Sequence, residues 1–527
     1  MSAPATRSPG QEPRRPLARW VLVTSILASS MAFIDGTALS VALPALQSDF
    51  GATGANLLWV TNGFSLPLAA LLLFGGALGD HYGRRRTFMA GIGVFIVASM
   101  ACGLAPTVEA LIAARVAQGV GAAIMIPGSL AMISSYFGPA ERGRAIGTWS
   151  AFSVLATTLG PVLGGLLAGA NLWRGVFFIN LPLALGALAI LALKLPPDED
   201  AAAGHRLDLR GAVTVTTGLA ALNFGLIRWS EHSLGDLWVW GPLVTGVLGL
   251  GLFVLTQLKG KQPLLPLGIF RNPVLAGASV VSFLYYTAFH GTLFFLPLNL
   301  IQVQGYKPAM AGLTQVPLMV LLIALSAMAG RWVDRKGPRW PLTVGSGITG
   351  VGLLLLAFPG VTAGAGEFAS RFLPGLLVVG VGLGLTATPV STTLMTSVAS
   401  DQLGLASGIN SSLTRLAGVF AIAVLGPLML ALFAHGLTAR VGQLGLPPAA
   451  VEQVTRDAAK LGATPLPAGL DAPAAAAVQA AIQWAFVDAF RWMVGIAAGL
   501  CWIAAIVAAV VLRPTTPGPG RSGFRSD

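Results

Sequence analysis

The stretch "GALGDHYGRRRTF", residues Gly76 to Phe88, sets a cluster of charge between two strongly apolar runs. A similar outline returns as "GRWVDRKGPRW", residues Gly330 to Trp340. In both places a Gly is followed by an Asp, then by a second Gly, and then by an Arg. A basic loop alone would explain the arginines but not a spaced Gly-Asp-Gly pattern that occurs twice. The sequence therefore predicts a duplicated chain in which the same connection appears once in each half.

The composition indicates a membrane protein. The 527 residues are 55% hydrophobic and 10% charged, whereas ordinary soluble domains are about 25% charged. Apolar runs long enough to cross a bilayer as helices recur from end to end. The net charge of +12 is dispersed among short loops, so it indicates orientation in a lipid bilayer and no nucleic-acid partner. Both cysteines, Cys102 and Cys501, fall in apolar runs, so neither a disulfide framework nor a metal site is predicted.

The apolar runs predict an all-α fold with fourteen transmembrane helices. The predicted spans are 19–45, 56–78, 87–105, 107–132, 143–170, 174–194, 211–230, 237–258, 273–301, 309–330, 341–361, 369–395, 403–435 and 483–512. Lys and Arg are concentrated in the segments that lie on the same side as the N-terminus. The distribution predicts a multi-pass protein of the cytoplasmic membrane with both termini cytoplasmic.

Two polar linkers, at 195–211 and 259–273, separate the seventh and eighth helices from two groups of six. The predicted organisation has two six-helix bundles and two inserted helices. Its parts are a basic cytoplasmic tail (1–18), an N-terminal six-helix bundle (19–194), the linkers with helices 7 and 8 (195–272), a C-terminal six-helix bundle (273–512) with an outer loop (436–481), and a second cytoplasmic tail (513–527).

The repeated loop has the chemistry of a gate at the cytoplasmic side. Gly76 and Gly83 allow a close helix approach and a tight turn. Asp80 is suited to accept hydrogen bonds at a helix start or to pair with a cation. Arg84 and Arg85 suit contact with the phospholipid surface or with the other half. The corresponding positions of the second copy are Gly330, Asp334, Gly337 and Arg339.

The loop resembles the signature of the major facilitator superfamily, G-x-L-x-D-x-x-G-R-R, which Gly76, Leu78, Asp80, Gly83 and the two following arginines match. The second copy departs from it at Trp332 and Pro338. The resemblance implies the major facilitator fold and a loop that latches the cytoplasmic side in one of two access states.

Asp35, in the first predicted span, lies about 24 Å along the helix from Arg19, near the middle of the bilayer. An ionisable group at that depth is a functional hypothesis by default. Arg115 in the fourth span is the predicted partner, and Gln118 lies on the same helical face. Asp35 is suited to carry protons or to act as a buried partner for an arginine, and the two roles are compatible. We predict a proton-responsive pair.

The fifth span, "GTWSAFSVLATTLGPVLGG", resembles the antiporter signature of the superfamily at Gly147, Gly160, Pro161, Gly164 and Gly165, with Ala156 in place of a further glycine. The resemblance implies an exporter rather than an importer. The first span resembles the fourteen-helix drug:proton antiporter branch in its pattern D-x-T…V-A-L-P, which includes Asp35 and Thr37 and has Ser40 where Asn is usual. That resemblance assigns Thr37 to the coupling or substrate region.

Two further polar residues lie in the predicted spans. His290 is suited to carry protons or to be held by a neighbour. Arg415 is suited to bind an anion or substrate, or to form a structural pair.

The function that we predict is proton-coupled export of drugs or toxic amphipathic compounds, often cationic, by alternating access. The predicted partners are a small amphipathic substrate, protons and the lipid bilayer, and a monomer is expected. No nucleotide-binding loop and no hydrolytic constellation is found, so the chain is predicted to be a secondary transporter without a cofactor and not an enzyme. The alternatives are a dedicated exporter of one metabolite or antibiotic, a non-transporting membrane sensor or scaffold, and import by symport.

Overall fold

The structure is a computed structural model that describes residues 15–196, 208–229, 236–260, 263–398 and 403–512. This part of the chain contains fourteen long helices, numbered here in chain order. They are α1 Arg15–Phe50, α2 Gly54–Tyr82, α3 Arg84–Leu104, α4 Val108–Tyr136, α5 Pro139–Gly169, α6 Asn180–Lys194, α7 Leu209–Trp229, α8 Leu237–Lys259, α9 Pro273–Leu298, α10 Val316–Lys336, α11 Arg339–Ala357, α12 Leu373–Thr396, α13 Leu403–Val441 and α14 Ala472–Val511. Short helices at Gly175–Phe178 and Pro308–Leu313 precede α6 and α10.

The fourteen helices coincide with the fourteen predicted spans, and the largest difference is at α14. That helix begins at Ala472 rather than at 483, because Asp471 caps it by accepting from the backbone N–H of Ala474 at 2.8 Å. The segment that follows is rich in alanine, which favours helix. Since α13 also continues to Val441, the connection between the two helices runs from 442 to 471 and is shorter than the predicted loop at 436–481.

Thirteen helical spans of the described chain are long and apolar enough to cross a membrane. The helix outside this set is α7, which has 21 residues. Its threonines, Asn223 and two arginines make it more polar than the others. It nevertheless packs along α8 and also contacts α2 and α13.

The two halves repeat one packing scheme. In the first half α4 packs on α2 and α3, and α1 packs on α5 and α6. In the second half α12 packs on α10 and α11, and α9 packs on α13 and α14. The same pairs of helices therefore meet in both halves, as an internal duplication requires. The chain has the architecture of two six-helix bundles with α7 and α8 added.

The first inserted helix, α7, lies beside both halves at once. α7 contacts both α2 and α13. Its Leu219 and Ala220 pack with a small apolar cluster of Leu66, Ala69 and Val419. A buried hydrogen bond from the Asn62 amide to the Asn223 carbonyl oxygen, at 3.3 Å, fastens α7 to α2.

The halves also meet at the end of the bundle that carries the connection 442–471, which we call the distal end. There Gln302, just after α9, donates to the side-chain oxygen of Gln47 on α1 at 2.7 Å. Gln47 in turn donates to the backbone oxygen of Lys460 at 2.9 Å. We call the opposite end, where Gly83 joins α2 to α3, the basic end. The distal contacts close the bundle at one end.

Candidate functional site

A buried ion pair lies inside the first half. Asp35 on α1 and Arg115 on α4 are in direct contact, and their side chains are 0% and 1% exposed. A guanidinium and a carboxylate removed from water are stable only together, because each neutralises the other. The structure thus brings together the two charged residues that the sequence placed at the same depth.

Polar side chains complete the shell around this pair. Gln118 donates to one Asp35 oxygen at 2.9 Å and accepts from Arg115 at 2.8 Å. Asn180, at the start of α6, donates to the same carboxylate at 3.4 Å and to the hydroxyl of Ser99 at 3.0 Å. All are buried, so the site is a closed network in which the Asp35 carboxylate accepts from three side chains.

Arg115 has partners besides Asp35. Its Nε donates to the backbone oxygen of Val60 at 3.2 Å, and its guanidinium lies 4.4 Å from the ring centroid of Phe64. Phe177 lies on a further side at 5.8 Å. These contacts give the guanidinium partners in addition to the carboxylate.

Sequence reasoning missed Asn180, Ser99 and the aromatic rings. Asn180 left a signal, since it is an amide inside the apolar run that follows Phe177. Ser99 and Phe64 gave no such signal in the sequence, because serine and phenylalanine are common in membrane helices. Their role depends on how α2, α3 and α6 are placed around α1.

Thr37 does not join the ion-pair network. Its hydroxyl lies 2.8 Å from the backbone oxygen of Phe33 and 3.2 Å from that of Thr157 on α5. The geometry therefore assigns Thr37 to the contact between α1 and α5.

The glycines of the α5 motif make that contact possible. A side-chain carbon added at Gly160 would overlap the Thr37 hydroxyl, and one at Gly164 would overlap the backbone of Ala38. By contrast, Gly147 has open space where a side chain would be. The motif is thus a packing surface over its second half, and its first glycine makes no close contact.

The same motif joins the two halves at the distal end. A carbon added at Gly165 would overlap the backbone of Pro308, and one at Gly312 would overlap the backbone of Pro161. The short helix Pro308–Leu313 belongs to the second half of the chain. Consequently α5 reaches across to the other half through small residues, where larger ones would keep the halves apart.

The two repeated loops contain the same turn. Gly83 has φ +96° and Gly337 has φ +76°, conformations that residues with a side chain rarely adopt. The close helix approach expected at Gly76 is instead made by Gly75, where an added carbon would overlap the backbone of Ala123 on α4. A carbon added at Gly76 would lie an ordinary 3.6 Å from the nearest atom, on Pro127.

The arginines of the first loop bind backbone oxygens at the basic end. Arg85 donates to the Leu191 oxygen at 2.8 and 3.0 Å, and Arg84 lies 3.5 Å from that of Ala131. Both acceptors belong to the first half. The side chains of Asp80 and Asp334 lie outside the part that the structure describes, so their expected pairing stays a prediction.

The second loop differs from the first. A side-chain carbon added at Gly330 would lie an ordinary 3.7 Å from Thr388. The Arg339 guanidinium lies 5.3 Å from the ring of Trp340. The second copy thus keeps the turn, while its arginine stacks beside the neighbouring aromatic ring.

His290 and Arg415 lie together in the second half, facing the first. His290 on α9 packs 3.5 Å from the position of a side chain at Gly418, one helical turn from Arg415 on α13. The Arg415 guanidinium lies 6.0 Å from the ring centroid of Phe33 on α1. Among the described residues, no three His, Cys, Asp or Glu side chains come close enough to hold a metal ion.

The chain resembles families of membrane transport proteins. The model of the Major Facilitator Superfamily matches residues 25–422. The tetracenomycin C resistance and export protein of Streptomyces glaucescens is 32% identical over 91% of this chain and 88% of that protein. The multidrug resistance protein Stp of Mycobacterium tuberculosis is 34% identical over 78% of this chain and 75% of that protein.

A solved structure shares the fold. It is that of a bacterial homolog of the human lysosomal transporter Spinster, in an inward-facing and occupied conformation. The TM-score is 0.59 with 18% identity, and the match covers 94% of this chain and 98% of that one.

Proposed function

This chain belongs to the major facilitator superfamily, and from that premise we propose that it exports drugs or other amphipathic compounds in exchange for protons. It is a multi-pass membrane protein and a transporter of small molecules rather than an enzyme. Relatives named for resistance and export support the direction of transport.

The observation that carries proton coupling is the closed network around Asp35. A carboxylate with no exposed surface changes its charge only when a proton reaches it and the environment rearranges. Protonation removes the negative charge that Arg115 neutralises. Arg115 then keeps the Val60 oxygen, the Gln118 oxygen and the Phe64 ring as partners, but its buried charge is no longer neutralised, so protonation favours a rearrangement of the helices around it.

Movement is transmitted through α1. Asp35 lies two residues from Thr37, which contacts α5 at Gly160. Gly36, between them, is exposed although α1 is surrounded by α4, α5, α6 and α9. We infer that Gly36 borders the space between the halves, which we call the central space. A change of charge at Asp35 acts on the helix that separates the buried network from this space.

Alternating access follows from the contacts at the distal end. Gln47 with Gln302, and Gly165 with Pro308, hold the halves together there. We assign the distal end to the outside and the basic end to the cytoplasm, because the basic loops should lie inside. Export then requires the distal contacts to open and to close again in every cycle. We further propose that the protein works as a monomer in the cytoplasmic membrane, with both termini in the cytoplasm.

The test is transport by purified protein in liposomes under an imposed pH gradient. The substrates are an anionic, a neutral and a cationic aromatic dye. Asp35→Asn should abolish the acceleration by the gradient, because an amide carries no titrating proton. Asp49→Asn is the matched control, since Asp49 ends the same helix in an exposed pair with Arg174 at 3.1 Å. It should keep the acceleration.

Two results would overturn the proposal. One is a wild-type protein that transports none of the dyes. The other is Asp35→Asn protein with full acceleration by the gradient. Equal losses in the two Asp variants would indicate damage to α1 rather than a coupling role, and would also count against it.

The second candidate, a dedicated exporter of one compound, is favoured by the relative named for tetracenomycin C. It predicts that only one of many aromatic compounds competes with dye export. Competition by several unrelated compounds supports the multidrug proposal instead.

A further inference from the structure

Arg415 lies at the central space. It is only partly buried, on α13, and faces Phe33 across the junction of the two halves. Among the described residues, no acidic side chain is in an ion pair or hydrogen bond with it. The Asp35 carboxylate, two residues from Phe33, is turned into the first half and is already neutralised by Arg115. The net charge of this place is therefore positive.

Aromatic rings surround the same place. Phe33 packs edge-on against Trp149 of α5, with ring centroids 6.4 Å apart. On the other side, Tyr286 stacks on His290 at 6.0 Å and 30°. Phe33, Trp149, Tyr286 and His290 are all partly exposed. Two pairs of rings from opposite halves thus border one partly buried guanidinium.

We propose that this place, the Arg415 subsite, binds the substrate, and that the substrates are planar aromatic compounds with a negatively charged carboxylate or phenolate group. This inference rests on the proposed export function and names its substrate class. It differs from the expectation of cationic compounds drawn from the sequence.

The physical reason is the low dielectric of a space enclosed by membrane helices. A fixed positive charge there attracts an anion and repels a cation much more strongly than in water. The planar guanidinium pairs with a carboxylate through parallel hydrogen bonds and also stacks on aromatic faces. A carboxylate and a ring on one substrate use both properties together.

The experiment compares two probes in liposomes that contain the purified protein. The anionic probe is carboxyfluorescein and the cationic probe is ethidium. The variants are Arg415→Gln, which removes the charge, and Arg415→Lys, which keeps it. The control is Arg440→Gln, on the same helix but in a partly exposed pair with Asp488.

Wild type should transport carboxyfluorescein faster than ethidium. Arg415→Gln should lower the carboxyfluorescein rate about tenfold or more, the size of a lost hydrogen bond to a charged group. It should leave the ethidium rate unchanged or higher. Arg415→Lys should recover part of the anionic rate, and Arg440→Gln should preserve the preference.

Failure of the inference is distinct from failure of the proposed function. Transport of ethidium in preference to carboxyfluorescein would overturn the inference and leave proton-driven export standing. An equal loss of both probes in Arg415→Gln would also overturn it, since that result indicates a structural role. Absence of transport for every probe in wild type overturns the proposed function itself.

Discussion

The hydroxyl of Thr37 on α1 occupies the place that a side chain at Gly160 on α5 would need. The same hydroxyl lies 3.2 Å from the backbone oxygen of Thr157. This contact lies two residues from Asp35, so the helix that carries the buried ion pair is held against the motif helix at the same depth. Disturbing the contact should affect both stability and transport.

Gly160→Ala should therefore destabilise the protein by about 1–3 kcal/mol, the usual cost of overpacking, and should slow dye transport. Gly147→Ala, in the same motif, meets open space and should be neutral or stabilising by up to about 1 kcal/mol. Thermal unfolding and transport rates check both. Equal behaviour of the two variants would contradict the assignment of the motif to packing.

Gln118→Leu should weaken the network without abolishing it. The change removes one donor to Asp35 and one acceptor for Arg115, at a cost of about 1–3 kcal/mol. We expect a lower melting temperature and a reduced, measurable response to the pH gradient. Cys102→Ser is the control, since the Cys102 thiol donates to the Gln118 oxygen at 3.6 Å and a serine hydroxyl keeps that donor. If the Gln118→Leu protein is as stable as wild type, the Gln118 amide does not stabilise the ion pair.

Gly83→Ala should be costly and Gly76→Ala should not. Gly83 has φ +96° and ψ 134°, a region nearly restricted to glycine, where another residue costs about 1–3 kcal/mol. Gly76 has only an ordinary contact at 3.6 Å. The expected result is slower transport and earlier unfolding in Gly83→Ala alone. Loss of transport in Gly76→Ala at normal stability would instead indicate a close approach in another access state.

The buried amide pair between α2 and α7 is suited to a double-mutant cycle. Asn223→Leu leaves the Asn62 amide without its partner at 3.3 Å, and we expect a loss of about 1–3 kcal/mol. Asn62→Leu should have a similar effect. The double variant should be more stable than the sum of the two predicts, because neither amide remains to be satisfied. Strictly additive changes in melting temperature would indicate that the pair is not coupled.

The contact between Gln47 and Gln302 should be broken during transport. Cysteines at both positions, joined by a short bis-maleimide, should stop transport, and each single-cysteine variant treated in the same way should stay active. The native Cys102 and Cys501 are buried, so they should react little. Full transport by the joined protein would contradict opening of the distal end.

Much of the fold could be predicted from the sequence, because long apolar runs identify membrane helices. The charged loops at Gly83 and Gly337 indicated which helices of the two halves correspond to each other. The start of α14 at Ala472 was missed, since an alanine-rich run continues a helix beyond the span that hydropathy alone detects.

The ion pair could be anticipated because Asp35 and Arg115 are costly in lipid and share a depth. Its other partners could not, since Asn180 and Ser99 enter the network only through the packing of α3 and α6 around α1. The role of Gly75 in place of Gly76 could not be predicted either. Adjacent glycines differ by about 100° around a helix, and only the position of α4 decides which one is in contact.

The position of α7 makes the two sides of the molecule unequal. It covers the junction of α2 and α13 with Leu219 and Ala220, so lipid tails are kept away from that junction. The opposite junction, between α5 and the short helix Pro308–Leu313, has no inserted helix beside it in the described chain. A hydrophobic compound dissolved in the bilayer therefore meets one junction that is covered by α7 and one that is not. Lateral uptake from the lipid should occur at the uncovered junction.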